Sequence, residues 1–272
     1  MELSLFKKKL FEEAKNNGFD ECEIYYSNSE SLSMNIYEGD VEKYKLNNSF
    51  GLSFRGMING KIGYSYTEIL DEAAIKTLID NAKGGALSIE NDDVQFIYAG
   101  DEKYVDIDCY HKELDDIKPD ELIKLAMEME SQCKEQCDKV VNFSGCGIGY
   151  GKSEYGIVNT KGLNLESKRN HLTAYVVPIV EENGEKYDGM GYVVANNINE
   201  VKPAELAKMG LDEALSRIGG KSIPAGKYKV IINNEAMVSL LGTFDSIFNS
   251  DQAQKGLSLL NGKEGEIIAS NV

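Results

Sequence analysis

The chain has 272 residues, a formal net charge of −16 and five cysteines. It is long enough to bury a sizeable core in one or two domains. The acidic balance and the absence of any Lys/Arg-rich run exclude a nucleic-acid partner held by phosphate contacts, and no stretch reaches the ~20 apolar residues that cross a bilayer. Met1–Lys9 lacks the basic-then-apolar order of a secretory signal, and Cys22, Cys109, Cys133, Cys137 and Cys146 follow no disulfide framework. Reduced thiols in a cytoplasmic protein are therefore expected.

Leu3, Phe6, Leu10, Phe11 and Ala14 recur at helical spacing and predict an amphipathic helix that ends near Gly18. Short strands are then predicted at Cys22–Ser27, Leu32–Tyr37, Lys43–Leu46, Gly51–Met57 and Lys61–Tyr66, with Asn59-Gly60 suited to a tight hairpin. Helical period returns over Ile69–Ala82. Residues 84–118 are acidic, lack a clear period and read as a long connection. Pro119 starts a helix whose apolar face is Leu122, Leu125, Ala126, Met129 and Cys133.

Strands are predicted again at Val140–Ile148, Tyr155–Asn159, Leu163–Ser167, Leu172–Val180 and Tyr192–Ala195, divided by Lys161-Gly162 and Glu182-Asn183-Gly184. A helix spans Pro203–Ile218, and Lys221–Lys227 is a linker. Helix, strands, helix occurs twice, which suggests an internal duplication. Antiparallel strand runs with segregated helices give an α+β class. The domains are expected at 1–220, a two-layer N-terminal α/β domain, and 221–272, the start of a β-rich C-terminal domain that stops short.

Several constellations invite a chemical reading. Gly145–Ser153 resembles a phosphate loop, but the place of its first glycine holds Cys146, and the residues after Ser153 read as strand rather than helix. Glycines that ease twist or close packing in a hairpin are the better reading. Cys133 and Cys137 share a helix face, yet two thiols fall short of the usual four ligands of a structural metal site. His111 is expected at the surface and His171 lies in a strand-like run beside Lys168 and Arg169. Neither neighbourhood suggests a nucleophile, and no Gly-x-Ser-x-Gly elbow is present.

The remaining candidate is a strand expected at Tyr228–Ile232 that runs into Asn233-Asn234-Glu235-Ala236-Met237-Val238-Ser239. Histidines at 234 and 239 would turn this helix into a zinc-binding, water-activating element. With Asn234 and Ser239 there, the expectation is that Asn234 caps the helix, Glu235 favours its positive end, and Met237, Leu240, Leu241, Phe244 and Phe248 pack on a core.

Three stretches make the chain resemble the TldD/TldE (PmbA) group of peptidase-related proteins, once labelled modulators of DNA gyrase. They are Gly51–Arg55 through Asn59–Tyr64, Asn159–Gly162, and Gly226–Val230 through Gly242 to Gly256–Glu266. The resemblance implies a His-Glu-x-x-x-His zinc helix in the TldD-like branch and its loss in the TldE-like branch. Here the three positions are Asn234, Glu235 and Ser239, which places the chain with the metal-free partner. It implies no cofactor and no catalytic residue of its own, a heterodimer with a TldD-like subunit or self-association, and extended peptides as substrates of the complex.

Overall fold

The computed structural model describes residues 1–90, 95–101 and 103–269. It divides into two compact units, Met1–Gly220 and Lys221–Val272. The first unit is built on one sheet of seven strands: β1 (Glu21–Tyr37), β2 (Asp40–Ile58), β3 (Lys61–Thr67), β4 (Val140–Asn159), β5 (Asn164–Glu182), β6 (Glu185–Asp188) and β7 (Gly191–Ala195). The order is β3-β2-β1-β4-β5-β6, with β7 also pairing β5, and every named pairing is antiparallel. The class is α+β.

Four helices cover one face: α1 (Leu3–Asn16), α2 (Glu72–Leu87), α3 (Pro119–Gln136) and α4 (Pro203–Ser216). Pro at the first turn opens α3 and α4, where its missing N–H costs nothing. Asp71 caps α2 by accepting from the Ala74 N–H. Helix, strands, helix therefore occurs twice, with three strands (β1–β3) in the first half and four (β4–β7) in the second, and β1 and β4 join the halves.

The helix-bearing face of β1 is its even-numbered side. Cys22, Ile24 and Tyr26 join a core with α1, α2, Leu52 and Phe54, whereas Met34 and Ile36 join a second core with α3 and Val176. Between the two cores the same face is polar. Lys7 pairs with Glu166, Lys168 with Glu154, and Lys152 with Asp115. In each half a glycine of the last strand lies against a helix backbone. A Cβ on Gly63 of β3 would lie 1.7 Å from the Ala82 carbonyl oxygen of α2, and one on Gly191 of β7 would lie 1.9 Å from that of Leu206 in α4.

The strands are fewer and longer than the sequence suggests. Cys22–Ser27 and Leu32–Tyr37 are parts of β1, Lys43–Leu46 and Gly51–Met57 parts of β2, Val140–Ile148 and Tyr155–Asn159 parts of β4, and Leu163–Ser167, but for Leu163 itself, and Leu172–Val180 parts of β5. The polar stretches between them stay extended because each finds a partner strand, as Asn28–Ser33 does against Lys45–Phe50. Asn59-Gly60 and Asn183-Gly184 turn two hairpins with positive φ, as expected, and Glu38-Gly39 turns a third. Helix α2 runs on through Gly84-Gly85. Within the expected connection 84–118, residues 91–94 and 102 lie outside the described residues, as do 270–272 near the end.

The second unit contains α5 (Asn234–Gly242) and the short α6 (Ser250–Gln254). The strand expected at Tyr228–Ile232 does not form. These residues find no partner strand among the described residues, and Ile231 is 99% exposed. The stripe expected to pack on a core is exposed as well, at Met237, Leu240, Leu241, Phe244 and Phe248.

Candidate functional site

Helix α5 is short, and its N-terminus is fixed one residue earlier than the sequence reading has it. Asn233, not Asn234, is the cap. Its Oδ1 accepts from the Ala236 N–H at 2.8 Å. An extended Asn233 before a helical Asn234 leaves only the former placed to reach the third amide. Glu235 lies exposed in the first turn, where a carboxylate suits the helix dipole. On a regular helix positions 234 and 239, five residues apart, point ~140° away from each other, so any ligand pair there needs a locally widened turn. A neutral amide and a hydroxyl are also weak donors beside the imidazoles and thiolates that retain zinc. The residues present do not fit that metal.

The other candidates are dispersed. Cys133 is buried within α3, and Cys137 follows the helix at its C-cap. Burial, chiefly, pushes the Cys133 thiol up to about 12, and those of Cys22 and Cys146 likewise, the last donating to the Ala126 carbonyl at 3.3 Å. A protonated thiol is a poor ligand and a poor nucleophile. His111 is half-buried rather than on the surface. Its N–H and C=O are held by the Asn170 side chain at 2.8 and 2.9 Å. The His171 ring lies over Gly151, where a Cβ would come within 3.2 Å of it. Among the described residues no group of three or more His, Cys, Asp or Glu could hold a metal ion.

The glycine run sits in β4, with no helix after it. Tyr175 covers Gly145 and Gly147 on the open face, and the Thr173 hydroxyl lies against Gly149, so these glycines accommodate close neighbours rather than a phosphate.

Sequence reasoning missed a polar knot on the face opposite the helices. Glu23 of β1 is buried. It accepts from Arg55 of β2 on one side and from the Asn159 amide of β4 at 3.2 Å on the other. Asn159 also donates to the Tyr98 carbonyl at 2.7 Å and accepts from the Lys161 and Leu163 N–H groups, which shapes the β4–β5 turn. The Cys22 N–H donates to the Thr160 hydroxyl at 2.9 Å, closing that turn onto β1. Two recognised stretches, the one with Arg55 and the one with Asn159, thus meet through Glu23. Their side chains tie the strand ends together.

A cavity of about 720 Å³ lies beside β5, lined by Tyr25, Tyr155, Ile157, Leu165 and the segment Tyr104–Asp108. Next to it Tyr110 donates to Asp115 at 2.6 Å, and Lys152 approaches the same carboxylate at 3.2 Å. The Tyr110 bond and the lysine hold Asp115 below the usual carboxylate range.

Three models of the PmbA/TldA metallopeptidase match in chain order: domain 1 over residues 22–86, the central domain over 112–218 and the C-terminal domain over 225–272. An uncharacterized protein of Methanocaldococcus jannaschii is 24% identical over 265 residues, covering 96% of this chain and 59% of its own length. A metalloprotease PmbA homolog of Buchnera aphidicola is 22% identical over 249 residues, covering 88% and 54%. Among solved structures, a candidate modulator of a DNA gyrase from Thermotoga maritima superposes with a TM-score of 0.87 at 25% identity, covering 97% of this chain and 60% of that one. TldE from Thermococcus kodakarensis shares the fold at a TM-score of 0.78 and 17% identity, covering 97% and 60%. The chain spans a little over half the length of the curated relatives it matches.

Proposed function

Because this chain belongs to the PmbA/TldD metallopeptidase family, we propose that it serves as the non-catalytic, TldE-like subunit of a complex in which a TldD-like partner cuts extended peptides. What supports this reading is the content of α5: its first turns carry Asn234, Glu235 and Ser239, which by the family resemblance correspond to the His, Glu and His of the metal-bearing branch. A lone carboxylate without imidazoles leaves no means of lowering the pKa of a metal-bound water. The chain's part is then structural, positioning the partner or its peptide. The dispersed cysteines and histidines offer no competing centre.

The test is reconstitution with a TldD-like chain and a flexible peptide substrate. Glu235→Ala in this subunit is expected to leave kcat within twofold of wild type, while loss of the Glu in the partner's own motif abolishes cleavage. An intact complex that stops cutting with Glu235→Ala contradicts the proposal.

A further inference from the structure

β3 is much shorter than β2. Its last residue, Thr67, stands opposite Leu52. From Gly51 back to Lys43, β2 stays paired to β1 without a register shift, while no described residue pairs with its other side. The tight β2–β3 turn makes Ile58 and Lys61 a hydrogen-bonded pair, so the even-numbered residues of β2 send their N–H and C=O groups toward β3. Carried back along the strand, this alternation leaves Tyr44, Leu46, Asn48 and Phe50 with those groups on the open edge. The same residues place their side chains on the helix-bearing face, where Tyr44 and Leu46 are 53% and 60% exposed. An extended, unpaired edge with apolar side chains and no proline is a template for strand pairing.

We propose that this edge pairs antiparallel with the same edge of a second copy, about a two-fold axis at Asn47. The free window itself selects this register. It is bounded by the bulge at Glu42 and by Thr67 opposite Leu52, and Asn47 is its midpoint. Leu46 then faces the partner's Asn48, and Tyr44 faces the partner's Phe50, so all four outward residues are hydrogen-bonded and an aromatic pair forms twice. Lys45 meets the partner's Ser49 and Lys43 the partner's Gly51, so no like charges oppose each other. The window Lys43–Gly51 carries two lysines and no carboxylate, which keeps the chain's overall acidity away from the contact. This contact does not depend on the proposed role in peptide cleavage.

Sedimentation equilibrium of the whole chain across the micromolar range reads the assembly. A dimer is expected, and Leu46→Pro should weaken it at least tenfold. That substitution removes an outward N–H and spares the ladder to β1, and an unchanged circular dichroism spectrum confirms the fold. In a Cys109→Ser background, Asn47→Cys should give an oxidised covalent dimer, because residues facing at a non-hydrogen-bonded position have Cα atoms about 4.5 Å apart. Lys43→Cys should not. A monomeric wild-type chain, a dimer indifferent to Leu46→Pro, or cross-linking at Lys43→Cys but not at Asn47→Cys overturns the proposal. So does an edge that takes up only a peptide or a peptidase subunit.

Discussion

Gly63→Ala tests the packing logic most sharply. The added methyl would start 1.7 Å from the Ala82 carbonyl oxygen and 2.7 Å from the Ala86 nitrogen. Both are backbone atoms of α2, so no flexible side chain can swing aside. An ordinary contact needs a separation of about 3.4 Å, so the helix must retreat by more than an ångström from Ile75, Leu78 and Ile79, which it buries. Overpacking of this kind costs about 1–3 kcal/mol, and the rigid neighbour argues for about 2–3. At this size each kcal/mol lowers Tm by about 2–4 °C. Gly191→Ala meets the Leu206 carbonyl at 1.9 Å in the other half and should cost a similar amount. Gly51→Ala meets nothing within 4 Å and should stay within about 0.5 kcal/mol of wild type. Urea unfolding followed by circular dichroism ranks the three. If Gly63→Ala and Gly191→Ala unfold at the wild-type midpoint, the close helix–strand contacts are wrong.

Arg55→Ala leaves the Glu23 carboxylate, 4% exposed, with the Asn159 amide as its neighbour. A loss of about 3 kcal/mol is expected, partly recovered by adding Glu23→Gln, and a double-mutant cycle in urea measures it. At pH 8 a thiol reagent should label Cys109 and Cys137 readily and reach the buried Cys22, Cys133 and Cys146, whose thiols stand at about 12, only after unfolding. Glu166 is held below the ordinary carboxylate range, first by the Tyr26 hydroxyl and then by Lys7. A depressed folded-state pKa stabilises above the unfolded value and is lost as pH falls through the folded one. Tyr26→Phe should therefore flatten the loss of stability below about pH 4.3, read from urea midpoints at successive pH values.

The sequence revealed what is local. Helix starts at Pro119 and Pro203 and the turns at Asn59-Gly60 and Asn183-Gly184 are written in single residues, so they were legible. Strand continuity was not. Asn28–Ser31 lacks β-propensity and reads as a break, yet β2 and β4 on either side hold it extended. The Glu23–Arg55–Asn159 knot joins residues 32 and 136 positions apart and appears only with the register. At α5 the sequence reading put the cap at Asn234, whereas the extended backbone of Asn233 makes that residue the cap. An apolar run at 228–232 reads as strand by composition alone, and a strand also needs a neighbour.

The proposed division of labour rests on what α5 can hold. Metal analysis of the purified chain, after incubation with zinc and exhaustive dialysis, addresses it directly. The expected result is far less than one zinc per chain, unchanged by Glu235→Ala. One tightly held zinc per chain, released by Glu235→Ala in a protein that remains folded, contradicts the account.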